Sequence, residues 1–425
     1  MTLNAPTPSQ PSFDADVIIV GAGMAGMTLA LALVSGGLRP LLIDPQTFDA
    51  QQAPEFDGRS SAIAYSSFRL WKAIGVGDAL VPQAQNIEQI LVTDGRTPGA
   101  ANGAASPFFL RFDSAEIADR SDGEPLGYML ENRSIRAALA QAVIDAAIPV
   151  LAPATVVSAT IDGSAAEVTL SDGRVLRAPL VVGAEGRHSV IRQAAKIGTV
   201  GWDYAQSGVV ATVGMAKPHE GVAHEYFLPS GPFAILPLTG NRASLVWTEK
   251  TDRAEALRTA RPEVFEAHLR RRFGDFLGEI EVLGPRFVYP LSLQLAEDMA
   301  APRLVLMGDA AHGIHPIAGQ GLNLGLKDAA ALAEVLTDAI RLGEDIGSLV
   351  VLERYAAWRR FDNVMLAAAT DIFVRLFSND NPMVRFVRGA GMAVVNLIGP
   401  ARKFFMQEAG GAVGDLPKLL RGEPL

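Results

Sequence analysis

A strand, a glycine-rich turn, a helix and a second strand ending in an acid fill residues 16–44, and no other stretch limits the fold so tightly. Asp16–Val20 reads DVIIV, a continuous apolar run of the kind buried in a parallel sheet. Gly21, Ala22, Gly23, Met24, Ala25 and Gly26 then spell G-x-G-x-x-G. Met24–Val34 is apolar and alanine-rich, hence helical, and Gly36-Gly37 stops it. Leu41–Ile43 is the next strand, with Asp44 at its end and Pro45 breaking the strand pattern beyond it. In this context the first glycine turns the chain, the second admits a pyrophosphate and the third lets helix lie on strand. Asp44 is placed to accept hydrogen bonds from ribose hydroxyls. The expected ligand is an adenine dinucleotide.

A second unit of the same kind comes late in the chain. Leu304–Met307 is a short apolar strand, ended by Gly308-Asp309. A loop holding Pro316, Gly319 and Gly321 comes next, and from Leu322 the apolar residues Leu322, Leu326, Ala330, Ala333 and Leu336 recur at helical spacing. The strand delivers a carboxylate, and the turn leaves bare N–H groups at a helix start. That end of a helix suits a phosphate or a developing anion. Two such turns point to FAD, extended across the domain, over a nicotinamide dinucleotide alone.

Other residues join these turns as candidates. Arg59, after Asp57-Gly58, faces a pyrophosphate in this reading. Arg133 opens a helix over Ser134–Ala147, where the dipole disfavours a cation unless an external anion is near. Leu180–Gly183 is an apolar strand, and Glu185-Gly186 lies just after it on a turn where backbone meets cofactor. Ala154–Ile161, Glu167–Leu170 and Val175–Ala178 form a hairpin and a third short strand. From Gly208 to about Leu295, alternating β-branched runs with one charged helix, Pro262–Phe273, predict a mostly antiparallel sheet facing a pocket. The fold class is therefore α/β, with a discontinuous Rossmann-like FAD-binding domain, an inserted antiparallel substrate domain and C-terminal helices. Its parts are a disordered lead-in (1–15), the first part of the FAD domain (16–200), the β-rich insertion (201–300), the closing part (301–378) and a helical region (379–425). His312 and His315, beside Pro316, shape the loop; no further ligand has zinc-site spacing.

Composition removes several alternatives. The net charge of −9 and pI of about 5.3 argue against a nucleic-acid partner. Cysteine is absent, which excludes disulfides, thiolate metal sites and cysteine nucleophiles. The first residues carry neither the basic nor the apolar region of a secretory signal, and no run of about 20 apolar residues free of helix breakers occurs. Mean hydropathy is +0.21, greasy for a soluble enzyme, which fits an apolar substrate or a surface that meets lipid.

Three motifs carry a family resemblance: G-A-G-M-A-G at Gly21–Gly26 with Asp44, G-A-E-G-R-H-S-V-I-R at Gly183–Arg192, and G-D-A-A-H-G-I-H-P-I-A-G-Q-G-L-N-L-G-L-K-D at Gly308–Asp328. Over roughly Asp16–Phe361 the chain resembles the single-component flavoprotein aromatic hydroxylases of the para-hydroxybenzoate hydroxylase fold, and within them the ubiquinone-biosynthesis hydroxylases. The resemblance implies FAD, NAD(P)H as reductant and dioxygen as co-substrate. A flavin C4a-hydroperoxide then passes one oxygen to an electron-rich polyprenylated phenol, with no side chain required as acid or base. It implies that Asp309 holds the ribityl chain and that backbone N–H groups of Gln320, Gly321, Leu322 and Asn323 face the flavin pyrimidine edge. Arg59 and Arg133 are placed near the pyrophosphate, and Val156 or Val157 beside the adenine. Glu185 departs from the family's aspartate, which bears on flavin reduction. Rival readings are a hydroxylase of a small soluble aromatic and a non-enzymatic FAD scaffold. The apolar stretch Phe386–Met406, with Arg385, Arg388, Arg402 and Lys403 around it, suggests a membrane surface or a quinone-synthesis complex as partner. The expected location is cytoplasmic, peripheral at the inner face of the membrane.

Overall fold

Short apolar runs build the first sheet. In the computed structural model, which describes residues 13–53, 57–94, 109–116, 124–228, 230–314, 320–377, 411 and 414–425, Val17–Val20 is a middle strand of six. It pairs in parallel with Leu180–Gly183 on one side and Pro40–Ile43 on the other. Leu304–Leu306 continues the parallel order beyond Leu180–Gly183, and Val150–Leu151 does so beyond Pro40–Ile43. Every residue of Val17–Val20 and Leu180–Gly183 is buried, as the strands of a covered parallel sheet must be. Helices Met24–Ser35, Asn132–Asp145 and Gln320–Arg341 share the core with them. The chain spreads from Val17–Val20 in both directions, so strand order reverses there. Ligands of such sheets bind in the crevice at the carboxyl ends of the strands. Gly21, Asp44, Ala184 and Met307 each come just after one of those ends.

The second sheet has eight strands and is mostly antiparallel. Its alternation separates two faces. Val209, Tyr226, Phe233, Leu245 and Trp247 pack with helices Thr251–Thr259 and Pro262–Phe273, where the sequence predicted only the second helix. Val210, Ala234, Leu236 and Val246 face the crevice instead. The sheet also recruits Gln89–Asp94, parallel to Val222–Leu228, and then Phe109–Asp113. Both lie outside the 201–300 segment, because alternation is a local signal and does not name a strand's partner.

The hairpin expected near residue 160 is present as Val156–Asp162, Ala165–Leu170 and Val175–Ala178. Among the described residues no helix is long and apolar enough to cross a membrane. Phe386–Met406 and the start of the chain through residue 12 lie outside the described residues.

The glycine-rich turn is locked by close contact. Gly21 has φ +108°, and a Cβ there would meet the Ala184 carbonyl oxygen at 2.5 Å. A Cβ on Gly26 would lie 2.0 Å from the Gly21 carbonyl oxygen. Gly26→Ala is therefore expected to cost about 3 kcal/mol, at the upper end of ordinary overpacking. A urea midpoint within error of the wild type's would refute that packing.

Candidate functional site

The carboxyl ends of the first sheet and the open face of the second enclose one continuous cleft of about 670 Å³. Three glycines from separate parts of the chain line it, Gly23, Gly186 and Gly321, and a Cβ on any of them would meet nothing within 4 Å among the described residues. The backbone is thus left bare toward the cleft. Helix Met24–Ser35 begins at Gly23 with no side-chain cap and no acid in its first turn, and helix Gln320–Arg341 likewise has no acid in its first turn. Two helix N-termini without a first-turn acid at one cleft fit a ligand bearing phosphates and a second anionic region. The cradle therefore suits FAD.

Asp44 closes the first turn. Its carboxylate accepts hydrogen bonds from the Ala22 and Gln46 backbone N–H groups, both at 2.8 Å. Burial pushes this carboxyl up, and those hydrogen bonds oppose the rise. A carboxylate has about four acceptor sites, so capacity for a ribose hydroxyl remains. Val156 is buried and Val157 exposed, and neither lines the cleft. The Ala154 N–H instead reaches the Asp44 carbonyl at 2.8 Å, which brings the segment to the same strand end.

Arg59 lines the cleft, but its guanidinium is already engaged. Nε donates to Asp57 at 2.9 Å, and the head stacks over Tyr289 at 4.6 Å. Asp57 also accepts from Arg136 at 2.5 Å, Asn132 at 3.0 Å and the Tyr289 hydroxyl at 3.2 Å. Burial alone would raise this carboxyl; its arginine and asparagine partners outweigh that and hold it well below the usual range. Arg133 is exposed and lies outside the cleft wall. Asn132 and Arg136, four apart and on one helix face, take the inward positions, and Arg133 is rotated about 100° from Asn132.

Glu185 lines the cleft but turns back on its own segment. One carboxylate oxygen accepts from the Ser189 hydroxyl at 2.7 Å and the Ile191 N–H at 2.8 Å, and Ser189 in turn caps Arg192 N–H at 2.9 Å. The longer side chain thus braces the turn that presents Gly186. Beside it, Arg187 bonds the Ser292 hydroxyl of the second sheet and lies 3.7 Å from Asp309. Asp309 presents a side chain about half exposed to the cleft.

Gln320 starts the long helix, and Gly321 and Leu322 line the cleft. Asn323 faces away from it: its side-chain oxygen accepts from Ala64 N–H at 2.9 Å and its amide donates to the Ala62 carbonyl at 2.8 Å. That pins the helix start to strand Ser60–Ala64. Pro316, Gly319 and His315 lie outside the described residues.

Sequence reasoning missed the residue that fixes the second turn. Asp328, fully buried, accepts from Gly308 N–H at 2.9 Å, His312 Nε2 at 2.5 Å and Arg359 Nε at 2.9 Å. An acid at Asp328, beside the alanine- and leucine-rich Ala329–Ala333 of the helix, was the available signal. Burial would raise its carboxyl, but His312 and Arg359 hold it down at about 2. Because the folded value lies below the unfolded one, its stabilisation is full above about pH 4 and is lost as pH falls toward 2. Asp328→Asn strands Arg359 without its full counter-charge and is expected to cost about 3 kcal/mol at pH 7. In urea melts between pH 7 and pH 2.5, the gap between wild type and variant should close on the acid side. A constant gap would contradict this linkage.

Known proteins share this outline. The FAD binding domain family matches residues 14–360. The chain is 46% identical over 416 residues to the ubiquinone hydroxylase UbiL of Rhodospirillum rubrum, covering 97% of this chain and 94% of that protein. It is 35% identical to the 3-demethoxyubiquinol 3-hydroxylase of Escherichia coli, over 93% of this chain and 98% of that one. Among solved structures, p-nitrophenol 4-monooxygenase PnpA of Pseudomonas putida superposes with a TM-score of 0.76 at 20% identity, covering 93% of this chain and 97% of that chain, a likeness of fold.

Proposed function

The chain belongs to the FAD-dependent hydroxylases of ubiquinone biosynthesis, and from that premise we propose that its substrate is a polyprenylated phenol, which takes up one oxygen atom on the ring. One observation carries the reading. The cleft runs without a break from Asp44, past Asp309 and Gly321, onto the apolar sheet face of Val210, Ala234 and Val246. A cofactor end and an aromatic-sized apolar end share one space.

The residues divide the labour. The bare turn at Gly23 would take the pyrophosphate and Asp44 a ribose hydroxyl. Asp309 would hold the ribityl hydroxyls, and the Gly321-Leu322 backbone would meet the pyrimidine edge of the ring system. Bound FAD, reduced by NAD(P)H, supplies the activation of dioxygen. The protein's own contribution is placement and dryness. The start of helix Gln320–Arg341 favours negative charge beside it, as a preorganised donor set does. The apolar sheet face excludes water from the ring. Domain bounds near residues 200 and 300 and these residue roles are part of the proposal.

We further propose that Phe386–Met406 brings the enzyme to lipid. Its apolar content, with Arg385 and Arg388 near one end and Arg402 and Lys403 near the other, supports an interfacial position, where each cation near anionic lipid adds about 1 kcal/mol. Flotation with anionic liposomes should carry the intact holoprotein and not its Phe404→Asp, Phe405→Asp variant. Equal flotation of the two would reject this contact.

The purified protein should be yellow and should oxidise NAD(P)H faster when a prenyl phenol is added, with a hydroxylated product. Asp309→Ala should weaken FAD binding about tenfold, the worth of a hydrogen bond to a charged group, with the fold retained. A protein that takes up no FAD, or whose oxidation of NAD(P)H yields no ring product with any phenol, would refute the assignment.

A further inference from the structure

The floor of the cleft holds one acid. Glu225 sits in strand Val222–Leu228, and the ladder sets it in a cross-strand row with Val92, Ala234, Val246, Val210 and Phe287. Its neighbour Tyr226 points to the opposite face, into the core with Phe233 and Trp247. Glu225 itself lines the cleft and is 8% exposed. The other residues of that row are apolar.

Among the described residues, the other buried acids are all engaged. Asp44 accepts backbone N–H groups, Asp57 and Asp328 face arginines, and Glu249 is held by Arg272. The Glu225 carboxyl has no hydrogen-bond or ion-pair partner among the described residues. Burial, with nothing to oppose it, pushes the group up to about 8. A lone buried carboxyl is a cost to stability with no structural return, and such costs gather at functional sites. An apolar residue would serve the sheet better. The acid is therefore kept for something that enters the cleft.

We propose that Glu225 is a substrate-contacting residue that hydrogen-bonds the hydroxyl of the phenol and so fixes how the ring lies on the apolar floor. The inference rests on the phenol reading above and names the group that recognises the phenol. A protonated carboxyl is matched to a phenol on both sides. Its carbonyl oxygen accepts the phenolic O–H, and its own O–H donates to the phenolic oxygen. Val210, Ala234 and Val246 offer the ring contact area but no polar group, and Glu225 is the acid set in their row.

The test compares a short-chain prenyl phenol with its O-methyl ether. Equilibrium binding to FAD-loaded enzyme is monitored by the flavin absorbance change, for wild type, Glu225→Gln and Glu225→Leu. The wild type should prefer the phenol by about tenfold or more, since the ether cannot donate to the carboxyl. Glu225→Gln keeps an acceptor and a donor, and should retain the preference to within about threefold. Glu225→Leu should bind phenol and ether alike. It should also hold FAD as the wild type does and melt at the same or a higher temperature, because an unpaired buried acid has been removed. A phenol preference that survives in Glu225→Leu, or is absent from the wild type, would overturn the proposal. Product formation is assayed in parallel. No ring product from the wild type with any phenol would remove the underlying reading, whereas product together with an unchanged preference in Glu225→Leu would overturn the inference alone.

Discussion

A carboxylate sealed from solvent sets the geometry of the cleft's cofactor end. Asp328 receives the Gly308 N–H, the His312 ring and the Arg359 guanidinium, and so ties a strand end, a loop and two long helices to one point. Gly308, free of a Cβ, adopts a left-handed φ of +56°, and its N–H is captured there. Asp309, the next residue, then projects into the cleft. Tyr355, from the same helix as Arg359, donates to the Leu306 carbonyl at 3.0 Å and fixes the strand just before the turn. With both anchors in place, helix Gln320–Arg341 seats on Met24–Ser35, where a Cβ on Gly325 would already touch Ala25 at 3.4 Å. The two helix starts, neither with an acid in its first turn, thereby open onto one space.

The acids divide by what they face. Asp57, Glu249 and Asp328 are buried against arginines and hold elements together. Asp44 and Glu185 brace a glycine turn from inside while lining the cleft. Asp309, with Arg187 3.7 Å away, and Glu225, with no partner among the described residues, look into the cleft, one at the cofactor end and one at the apolar end. A rigid frame of satisfied charges thus supports a small number of groups left for ligands. Arg187 links the two halves through Ser292 and Asp309, so the floor of the cleft is held in register with its cofactor side.

The legible part of the sequence was local. Strand, turn and helix around Gly21 and around Gly308 could be read because each unit is continuous in the chain and glycine spacing reports backbone approach. The open face of the second sheet could be read from alternation. Pairing across long separations could not. Nothing in Gln89–Asp94 says that it lies beside Val222–Leu228, and nothing in Asp57 says that Arg136 rather than Arg133 turns toward it. Glu185 is a departure from a motif by sequence, and in the structure its carboxylate accepts from Ser189 and Ile191. Glu225 did carry a signal, an acid at an inward position of an alternating strand, which becomes visible once the two faces are assigned. His312 shapes the loop, and its bond to Asp328 gives that role a mechanism.

The central claim is that glycine turns from opposite ends of the chain cradle a single FAD. Gly23 and Gly321 allow a direct test, because both line the cleft and a Cβ at either would meet nothing within 4 Å among the described residues. FAD affinity of the apoprotein can be titrated by flavin fluorescence for Gly23→Val and Gly321→Val, alongside urea melts of the same apoproteins. Each substitution should weaken FAD by about a hundredfold or more, roughly 3 kcal/mol, while the melts match the wild type. Wild-type FAD affinity in either variant would contradict it.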